Sequence, residues 1–447
     1  MERRLLSLTA PEPDTQSGTD AKLLPSLADQ LEARIRAHRP LPLKVDWAQE
    51  LIFPYYHGLS IMNLAATIPA LFGLTVNPPL DLAIWGGAMP DVNRVVLFVT
   101  DGLGYKWLRE MIAEDDAFAA VIADLNGGRA PLPMTSVAPS TTSVALPTLW
   151  TAAQPGLHGV TGRFMYMREV STVVDVLFYR TATGMHGELE SLFLEPEDFL
   201  PVATLSEQLS TLGVPTHLLL AKDLMGTGLS RMLHRGVAQR HTHIGYTDLW
   251  LRLSDVLQTT ARKRCYISVY WEMVDSLSHA YGAHNDYLRA EIKNQMTALR
   301  DTLAKAAPRD GRTLVLIAAD HGHYPIPQLV DIAADPDLFD AVRGMPSGDH
   351  RLSYWLLREG TKSRVTDVLD ARYSHVLAWA EPQTVIDSGV FGAGLHPELL
   401  HRLGDLVVFP REGVRIGYRV THRESRGSHH GGLSDWEMLA PLLWTTL

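Results

Sequence analysis

Three apolar runs that alternate with helical patterns constrain the fold of this chain more than any other feature. They cover Arg94–Thr100, residues 265–270 and residues 312–318, and each consists mainly of apolar and β-branched side chains. Strands of this kind are buried on both sides, as in a parallel sheet with helices on either face. Helical patterns at residues 105–112 and 285–306 separate the runs. The alternation predicts an α/β fold in which a mainly parallel sheet lies between two helical layers.

Two regions depart from this alternation. Residues 1–20 include a stretch rich in Pro, Ser, Thr and Asp, which is typical of a disordered tail. Residues 325–405 carry scattered Pro, Gly and Asp, and we expect them to form an inserted cap. The remainder, residues 21–324 together with residues 406–447, is then expected to form one catalytic α/β domain.

Charge and cysteine content exclude several classes of protein. The formal net charge of -10 argues against an extended nucleic-acid-binding surface. An acidic protein that handles small phosphate esters needs local positive charge, and bound metal ions supply it. Cys265 is the one cysteine, so a disulfide framework and a thiolate zinc cluster are excluded. Neither a signal-peptide-like stretch nor an apolar run of membrane-spanning length is found, which predicts a cytoplasmic protein without a membrane partner.

Acidic and histidine side chains follow each of the three apolar runs. Asp101 follows the first, Asp275 and His279 follow the second at i, i+4 spacing, and Asp320 and His321 follow the third. Any one of these is as often a turn former, a helix cap or a solvated pair. Catalytic groups of open α/β sheets, however, gather at the carboxyl ends of the strands. Together the five side chains predict a single site.

A sixth ligand is expected from the segment Gly-Ser-His-His-Gly-Gly at residues 427–432. Six Asp and His side chains divide into two ions with three ligands each, and such ligands suit zinc or manganese. Paired ions about 4 Å apart stabilise both the attacking and the leaving oxygen in phosphoryl transfer. His323 either supports a neighbouring ligand or is exposed.

The segment Pro139-Ser140-Thr141-Thr142 opens a helical pattern that continues to Thr151. Hydroxyl residues at a helix start are usually N-caps. The same position also favours negative charge and presents free N–H groups to a phosphate. A hydroxyl bound there to a divalent ion has a lowered pKa and is able to attack phosphorus.

These segments resemble the type I phosphodiesterase/nucleotide pyrophosphatase family of the alkaline phosphatase superfamily. That family has a proline three residues before its nucleophilic threonine and a His-Gly glycine seventeen residues after it, and Pro139 and Gly159 stand at those distances from Thr142. Four further blocks match in order: Phe98-Val99-Thr100-Asp101-Gly102, Asp275-x-x-x-His279, Ala319-Asp320-His321-Gly322 and Ser428-His429-His430-Gly431. The resemblance implies an alkaline phosphatase-like three-layer sandwich with Thr142 as nucleophile.

The resemblance also implies how two zinc ions are held. One ion would be bound by Asp101, Asp320 and His321 and would bind and activate Thr142. The other would be bound by the second set, which consists of Asp275, His279 and His430, and would activate the hydrolytic water. His430 is favoured over His429 because the family places its histidine immediately before glycine.

One position departs from the family pattern. Well-known members carry an asparagine twenty-one residues after the nucleophile that helps to hold the phosphate, whereas this chain has Arg163. A planar guanidinium is able to bind phosphate at two oxygens, so Arg163 is a candidate substrate-binding residue. The alternative is an exposed residue without such a role.

The sequence thus predicts a metal-dependent hydrolase that cleaves phosphodiester or pyrophosphate bonds of nucleotide-type substrates through a phosphothreonine intermediate. Two alternatives remain open. One is a phosphomonoesterase or a phosphoglycerate mutase-like phosphotransferase on the same fold. The other is a non-catalytic, metal-bound scaffold.

Overall fold

Two seven-stranded β-sheets, two small two-stranded sheets (Tyr324–Pro325 with Ser428–His429, and Gln328–Asp331 with Val414–Gly417) and the helices around them make up the described part of the chain. The computed structural model describes residues 26–185, 187–419 and 427–447. The tail predicted at residues 1–20 therefore lies outside the described residues. No helix within these ranges is both long and apolar enough to cross a membrane.

The strands are β1 (Arg94–Thr100), β2 (Leu132–Thr135), β3 (Phe164–Met167), β4 (Thr172–Asp175), β5 (Arg180–Thr181), β6 (Thr216–Ala221), β7 (Gln239–His243), β8 (Cys265–Trp271), β9 (Thr313–Ala318), β10 (Tyr324–Pro325), β11 (Gln328–Asp331), β12 (Ser347–Asp349), β13 (Leu352–Trp355), β14 (Leu377–Ala380), β15 (Leu406–Pro410), β16 (Val414–Gly417), β17 (Ser428–His429) and β18 (Leu439–Thr446).

The α-helices are α1 (Leu27–Ala37), α2 (Ile61–Leu71), α3 (Tyr105–Glu114), α4 (Asp116–Leu125), α5 (Thr142–Thr151), α6 (Pro155–His158), α7 (Pro196–Phe199), α8 (Leu205–Ser210), α9 (Gly228–Leu233), α10 (Tyr246–Thr259), α11 (Met273–Tyr281), α12 (Asp286–Ala306), α13 (Pro336–Phe339), α14 (Lys362–Val368), α15 (Pro382–Asp387), α16 (Leu399–Arg402) and α17 (Asp435–Met438).

The first sheet has seven strands in the order β2-β18-β9-β1-β8-β6-β7. The neighbouring strands β9, β1, β8, β6 and β7 all run parallel to one another. The strand β18 runs antiparallel to both β9 and β2. Every residue of β1, β8 and β9 is buried, as the apolar runs require. The predicted α/β fold with a mainly parallel sheet between helices is confirmed.

The second sheet has the order β14-β15-β13-β12-β3-β4-β5 and is antiparallel. Side chains alternate along its strands, as a period of two demands. In β15, Val407 and Phe409 pack into the main core, whereas Leu406 and Val408 pack into a smaller core with Trp355. The sheet combines β12–β14, from the region predicted to be a cap, with β3–β5 and β15. The domain boundaries stay a prediction.

Candidate active site at the carboxyl ends of the strands

The register of the central sheet brings the ends of three strands to the same level. Thr100 of β1 pairs with Trp271 of β8, and Val99 pairs with Ala318 of β9. The residues that follow these strands are therefore neighbours in space. At the turn after β1, Gly102 has φ of +79°, and a Cβ there would lie 2.9 Å from the ring of His323. Only glycine allows the turn to approach so closely.

The first group of predicted ligands surrounds the hydroxyl of Thr142. The Nε2 atom of His321 lies 3.1 Å from Thr142 Oγ1 and 3.4 Å from carboxylate oxygens of both Asp101 and Asp320. Asp101, Asp320 and His321 are all buried. The backbone N–H groups of Gly102 and His321 donate to Asp320 Oδ1 and so fix that carboxylate. The structure brings this predicted set together.

The second group lies beside the first. His279 Nε2 lies 3.2 Å from His430 Nε2 and 3.4 Å from Asp275 Oδ1, and His430 Nε2 lies 3.5 Å from the same oxygen. Asp275 also joins the two groups, because ligand atoms of Asp101, Asp275 and His321 lie within 4.8 Å of one another. All six predicted ligand side chains and Thr142 therefore converge.

Hydrogen bonds on the opposite side of each ring show which nitrogen faces the centre as an acceptor. The Nδ1 atoms of His321, His279 and His430 lie 3.2, 3.1 and 3.2 Å from the carbonyl oxygens of Gly322, Ser428 and Ser140. Because a carbonyl only accepts, each Nδ1 carries a proton, and Nε2 is the nitrogen left to offer a lone pair to the centre. Histidines that ligate metals are oriented in this way.

The centre therefore brings imidazole Nε2 atoms and carboxylate oxygens close together. Two carboxylate oxygens, Asp101 Oδ1 and Asp320 Oδ2, are buried and accept no hydrogen bond from the described residues. Uncompensated buried acceptors are costly, whereas cations placed among them would satisfy all of these atoms. The donor set of Asp and His fits divalent ions such as zinc or manganese.

The pKa values of the three carboxylates are shifted because these groups lie close together and away from solvent. Burial, followed by the neighbouring charges of Asp320 and Asp275, raises the pKa of Asp101 well above its usual value. Burial also raises the pKa of Asp320, although His321 opposes the rise. For Asp275 burial is outweighed by His279, His323 and His430, so its pKa is well below the usual value. A cation among these groups would favour the ionised form of every carboxylate.

Two residues at the site were not assigned a function from the sequence. His323 is buried; its Nε2 lies 2.7 Å from Asp275 Oδ1 and its Nδ1 lies 3.0 Å from Ser428 Oγ. The Tyr270 hydroxyl donates a hydrogen bond to Asp101 Oδ2. In the sequence, only their positions could have indicated these roles. His323 comes two residues after the predicted ligand His321, and Tyr270 lies at the end of β8. Both support carboxylates of the ligand set.

The segment before α5 ties the nucleophile to the loop that carries His430. The Ser140 hydroxyl donates to the carbonyl oxygen of Gly432 at 2.7 Å, and His430 Nδ1 donates to the carbonyl of Ser140. Thr141 precedes the helix in an extended conformation, and its side chain makes no capping hydrogen bond. The N–H groups at the start of α5 are therefore not occupied by the side chain of the N-cap residue. Such free N–H groups are what an anion site at a helix start requires.

Arg163 lies apart from this convergence. Its Nη2 atom is 3.4 Å from Asp175 Oδ2, and its side chain is 40% exposed. No hydrogen bond or ion pair among the described residues joins it to Thr142 or to a predicted ligand. His429, the less favoured ligand, faces Arg415 Nη1 with its Nε2 at 3.4 Å. Substrate binding by Arg163 stays a prediction.

Comparisons with known proteins agree with the fold and with the order of the motifs. A family model described as type I phosphodiesterase / nucleotide pyrophosphatase matches residues 95–432. No curated protein matches the chain. Murine ectonucleotide pyrophosphatase/phosphodiesterase 5 is similar in structure, with a TM-score of 0.56 and 15% identity over 78% of this chain and 87% of that one. A second structure of the murine protein is an inactive form in complex with AMP.

A bacterial enzyme shares the same fold. Phosphonoacetate hydrolase from Sinorhizobium meliloti 1021, in complex with phosphonoformate, has a TM-score of 0.57 and 16% identity over 78% of this chain and 89% of that one. At such low identity these likenesses show the architecture, whereas the motif-bearing region matches the family itself.

Proposed function

Because the chain belongs to the type I phosphodiesterase/nucleotide pyrophosphatase family of phosphoester hydrolases, we propose that it cleaves phosphodiester or pyrophosphate bonds of nucleotide-type small molecules with the help of two bound metal ions. The observation that carries the proposal is the convergence of six carboxylate and imidazole side chains, three of them beside the Thr142 hydroxyl and three in the neighbouring set. The similar murine protein is known in complex with AMP, which favours nucleotide-type substrates.

We assign the two ions to the two groups of side chains. Asp101, Asp320 and His321 would hold one, next to Thr142. The other would be held by the second set, defined above as Asp275, His279 and His430. Zinc is the expected metal and manganese the alternative. When bound, such ions lower the pKa of a coordinated hydroxyl or water and stabilise negative charge on phosphoryl oxygens.

In the proposed reaction, Thr142 Oγ1 attacks phosphorus in line with the leaving oxygen. A bond forms from Oγ1 to phosphorus while the hydroxyl proton passes to solvent, and the bond from phosphorus to the leaving oxygen breaks. The leaving group departs with the electron pair and takes a proton from water, giving phosphothreonine. The N–H groups at the start of α5 face the phosphoryl oxygens, and the positive end of the helix dipole favours their charge. Water then cleaves the phosphothreonine bond, which restores the hydroxyl and releases the product.

A phosphomonoesterase or phosphotransferase is the nearest alternative. Arg163 favours it, because this position carries a neutral asparagine in well-known family members. A cationic guanidinium there suits a monoester phosphate, which carries two negative charges. Its ion pair with Asp175 offsets part of that charge, however.

Parallel assays separate these proposals. We expect bis-p-nitrophenyl phosphate to be hydrolysed with a higher kcat/KM than p-nitrophenyl phosphate, and the activity to be lost after chelation and restored by zinc or manganese. A preference for the monoester would favour the alternative. Absence of both activities in the metal-loaded protein would contradict the proposed function.

A further inference from the structure

Arg163, the residue that departs from the family pattern, lies opposite a carboxylate of the second sheet. Phe164 of β3 pairs with Gly348 of β12 in an antiparallel register. One residue further along this register, Arg163 stands opposite Asp349. The two segments approach closely, because a Cβ at Gly162 would lie 2.5 Å from the Cα atom of Gly348. Side chains opposite each other in an antiparallel pair share one face, and opposite charges there attract.

A second carboxylate, that of Asp175, flanks Arg163 on the other side. Phe164 pairs with Asp175 of β4, so Arg163 has a carboxylate on each neighbouring strand. The Nη2 atom of Arg163 lies 3.4 Å from Asp175 Oδ2. Burial raises the pKa of Asp349, whereas His350 and Arg163 oppose the rise. One guanidinium is therefore shared between two carboxylates, and when both are ionised the three groups carry a net negative charge.

Asp349 also contacts the loop that carries the predicted ligand His430. A Cβ at Gly431 would lie 2.5 Å from Asp349 Oδ1, so only glycine fits beside this carboxylate. The same oxygen accepts a hydrogen bond from the backbone N–H of Arg351 at 3.3 Å. The loop is tied in turn to the segment before the nucleophile, through the hydrogen bond from His430 to the carbonyl of Ser140. The charge of Asp349 therefore acts close to the proposed position of phosphorus.

The guanidinium of Arg163 keeps hydrogen-bonding capacity that the protein does not use. It offers five N–H donors. Among the described residues it donates to Asp175 alone, over 3.4 Å, and its buried Nε atom has no hydrogen-bond partner there. A buried donor without a partner is costly. Arg163 is therefore able to donate to a phosphate oxygen once its carboxylates release it.

Substrate charge decides which esters suit this arrangement. At about pH 8 a phosphomonoester carries two negative charges and a phosphodiester carries one. A released guanidinium favours the second charge, whereas a carboxylate beside the site disfavours it. We propose that Asp349, together with Asp175, makes the site selective for singly charged phosphodiesters by holding and neutralising Arg163. The inference rests on the proposed function and deepens it, because it names the residues that disfavour monoesters.

Asp349→Asn tests the proposal, because it removes the charge and keeps the size of the side chain. At about pH 8 we expect kcat/KM for p-nitrophenyl phosphate, relative to bis-p-nitrophenyl phosphate, to rise at least about tenfold above the wild-type ratio. Inhibition by inorganic phosphate should tighten by a similar factor. Inhibition by dimethyl phosphate, which carries one charge, should change little. Asp175→Asn should shift the ratio and the phosphate inhibition in the same direction.

Two further variants tie the effect to Arg163. In the double variant Arg163→Asn/Asp349→Asn, the rise in the ratio should be at least about threefold smaller, since no guanidinium is left to be released. Asp335→Asn is the matched control. Asp335 is as buried as Asp175 and pairs with Arg372 at 3.1 Å in the loop before α13, so its variant should keep the wild-type ratio.

The outcomes separate this inference from the proposed function. An unchanged ratio in both Asp349→Asn and Asp175→Asn, with diesterase activity kept, would overturn the inference alone, as would an equal rise in the control. If the metal-loaded wild type cleaved neither ester, the proposed function would fail. Calorimetric titration with inorganic phosphate would then decide the inference, since the two asparagine variants must bind it more tightly than the wild type. Thermal melts check folding, and if one of these variants does not fold, the other decides.

Discussion

Thr142 has the most direct role of any side chain in the proposed reaction. Thr142 is the one that must form a bond to phosphorus, and its hydroxyl lies 3.1 Å from His321 Nε2. Thr142→Ala should lower kcat/KM for bis-p-nitrophenyl phosphate by at least about a thousandfold, because the nucleophile itself is removed. The melting temperature should change little, since the residue is only half-buried.

Thr142→Ser is the matched control for that variant. It keeps a hydroxyl at the start of α5 and should retain measurable turnover and a trapped phosphoenzyme. A fully active Thr142→Ala protein would end the phosphothreonine mechanism.

His323 is expected to act through Asp275 rather than on the substrate. It holds the carboxylate at 2.7 Å and is itself anchored on Ser428. His323→Gln should weaken metal binding by about 10- to 100-fold, the usual effect of losing a partner of a ligand. Titration of the metal-free protein with zinc measures this directly. His241→Gln is the control, because its ring stacks on His217 at the edge of the sheet and its loss should leave the affinity nearly unchanged; the reverse order would contradict the assignment.

At the scale of elements, a buried ion pair connects the second sheet to the site. Arg351, in the turn between β12 and β13, donates two hydrogen bonds to Glu437 of α17 at 2.9 and 2.6 Å, and both side chains are fully buried. Glu437 also accepts from Gly432 N and Ser434 Oγ, next to the loop of His430. This network positions the loop relative to β12 and β13.

Removal of one partner should therefore be costly. Arg351→Leu leaves the Glu437 charge buried without its partner, and we expect about 3–5 kcal/mol less stability in chemical unfolding together with weaker metal binding. The double variant Arg351→Leu/Glu437→Leu should recover much of the stability, although not the position of the loop. Equal stability of the single variant and the wild type would contradict this role.

Several elements could be predicted from the sequence because their signals are local. The strand expected at residues 265–270 is β8, at Cys265–Trp271, and the helix expected at residues 285–306 is α12, at Asp286–Ala306. The position of Asp101 and Asp320 follows from the parallel register, since residues after neighbouring parallel strands meet at one edge.

Other features could not be predicted because they depend on contacts between distant segments. The strand β3 pairs with β12 through Phe164 and Gly348, far apart in the chain, and β5 has only two residues. Strands this short carry almost no periodic signal. The contact of His323 with Asp275 likewise depends on how the loop after β9 packs against α11, so the sequence left its role open.

At the scale of the whole molecule, bound cations should contribute to stability as well as to activity. The buried carboxylates of Asp101 and Asp320 lie beside the half-buried carboxylate of Asp275, and no Lys or Arg among the described residues forms an ion pair with them. A ligand that binds only the folded state stabilises it, and the stabilisation grows with the logarithm of the ratio of ligand concentration to dissociation constant. Chelation should lower the melting temperature and abolish turnover, and added zinc or manganese should restore both. An unchanged melting temperature after removal of all metal would contradict this prediction.

The account depends most on two cations at the meeting point of the three strand ends. Anomalous diffraction from crystals of the zinc-loaded protein locates them directly. We predict two peaks about 4 Å apart, one against Asp101, Asp320 and His321 and the other against the second set, with Thr142 Oγ1 facing the first. A map without a peak at these side chains, while zinc is bound elsewhere on the protein, would contradict it.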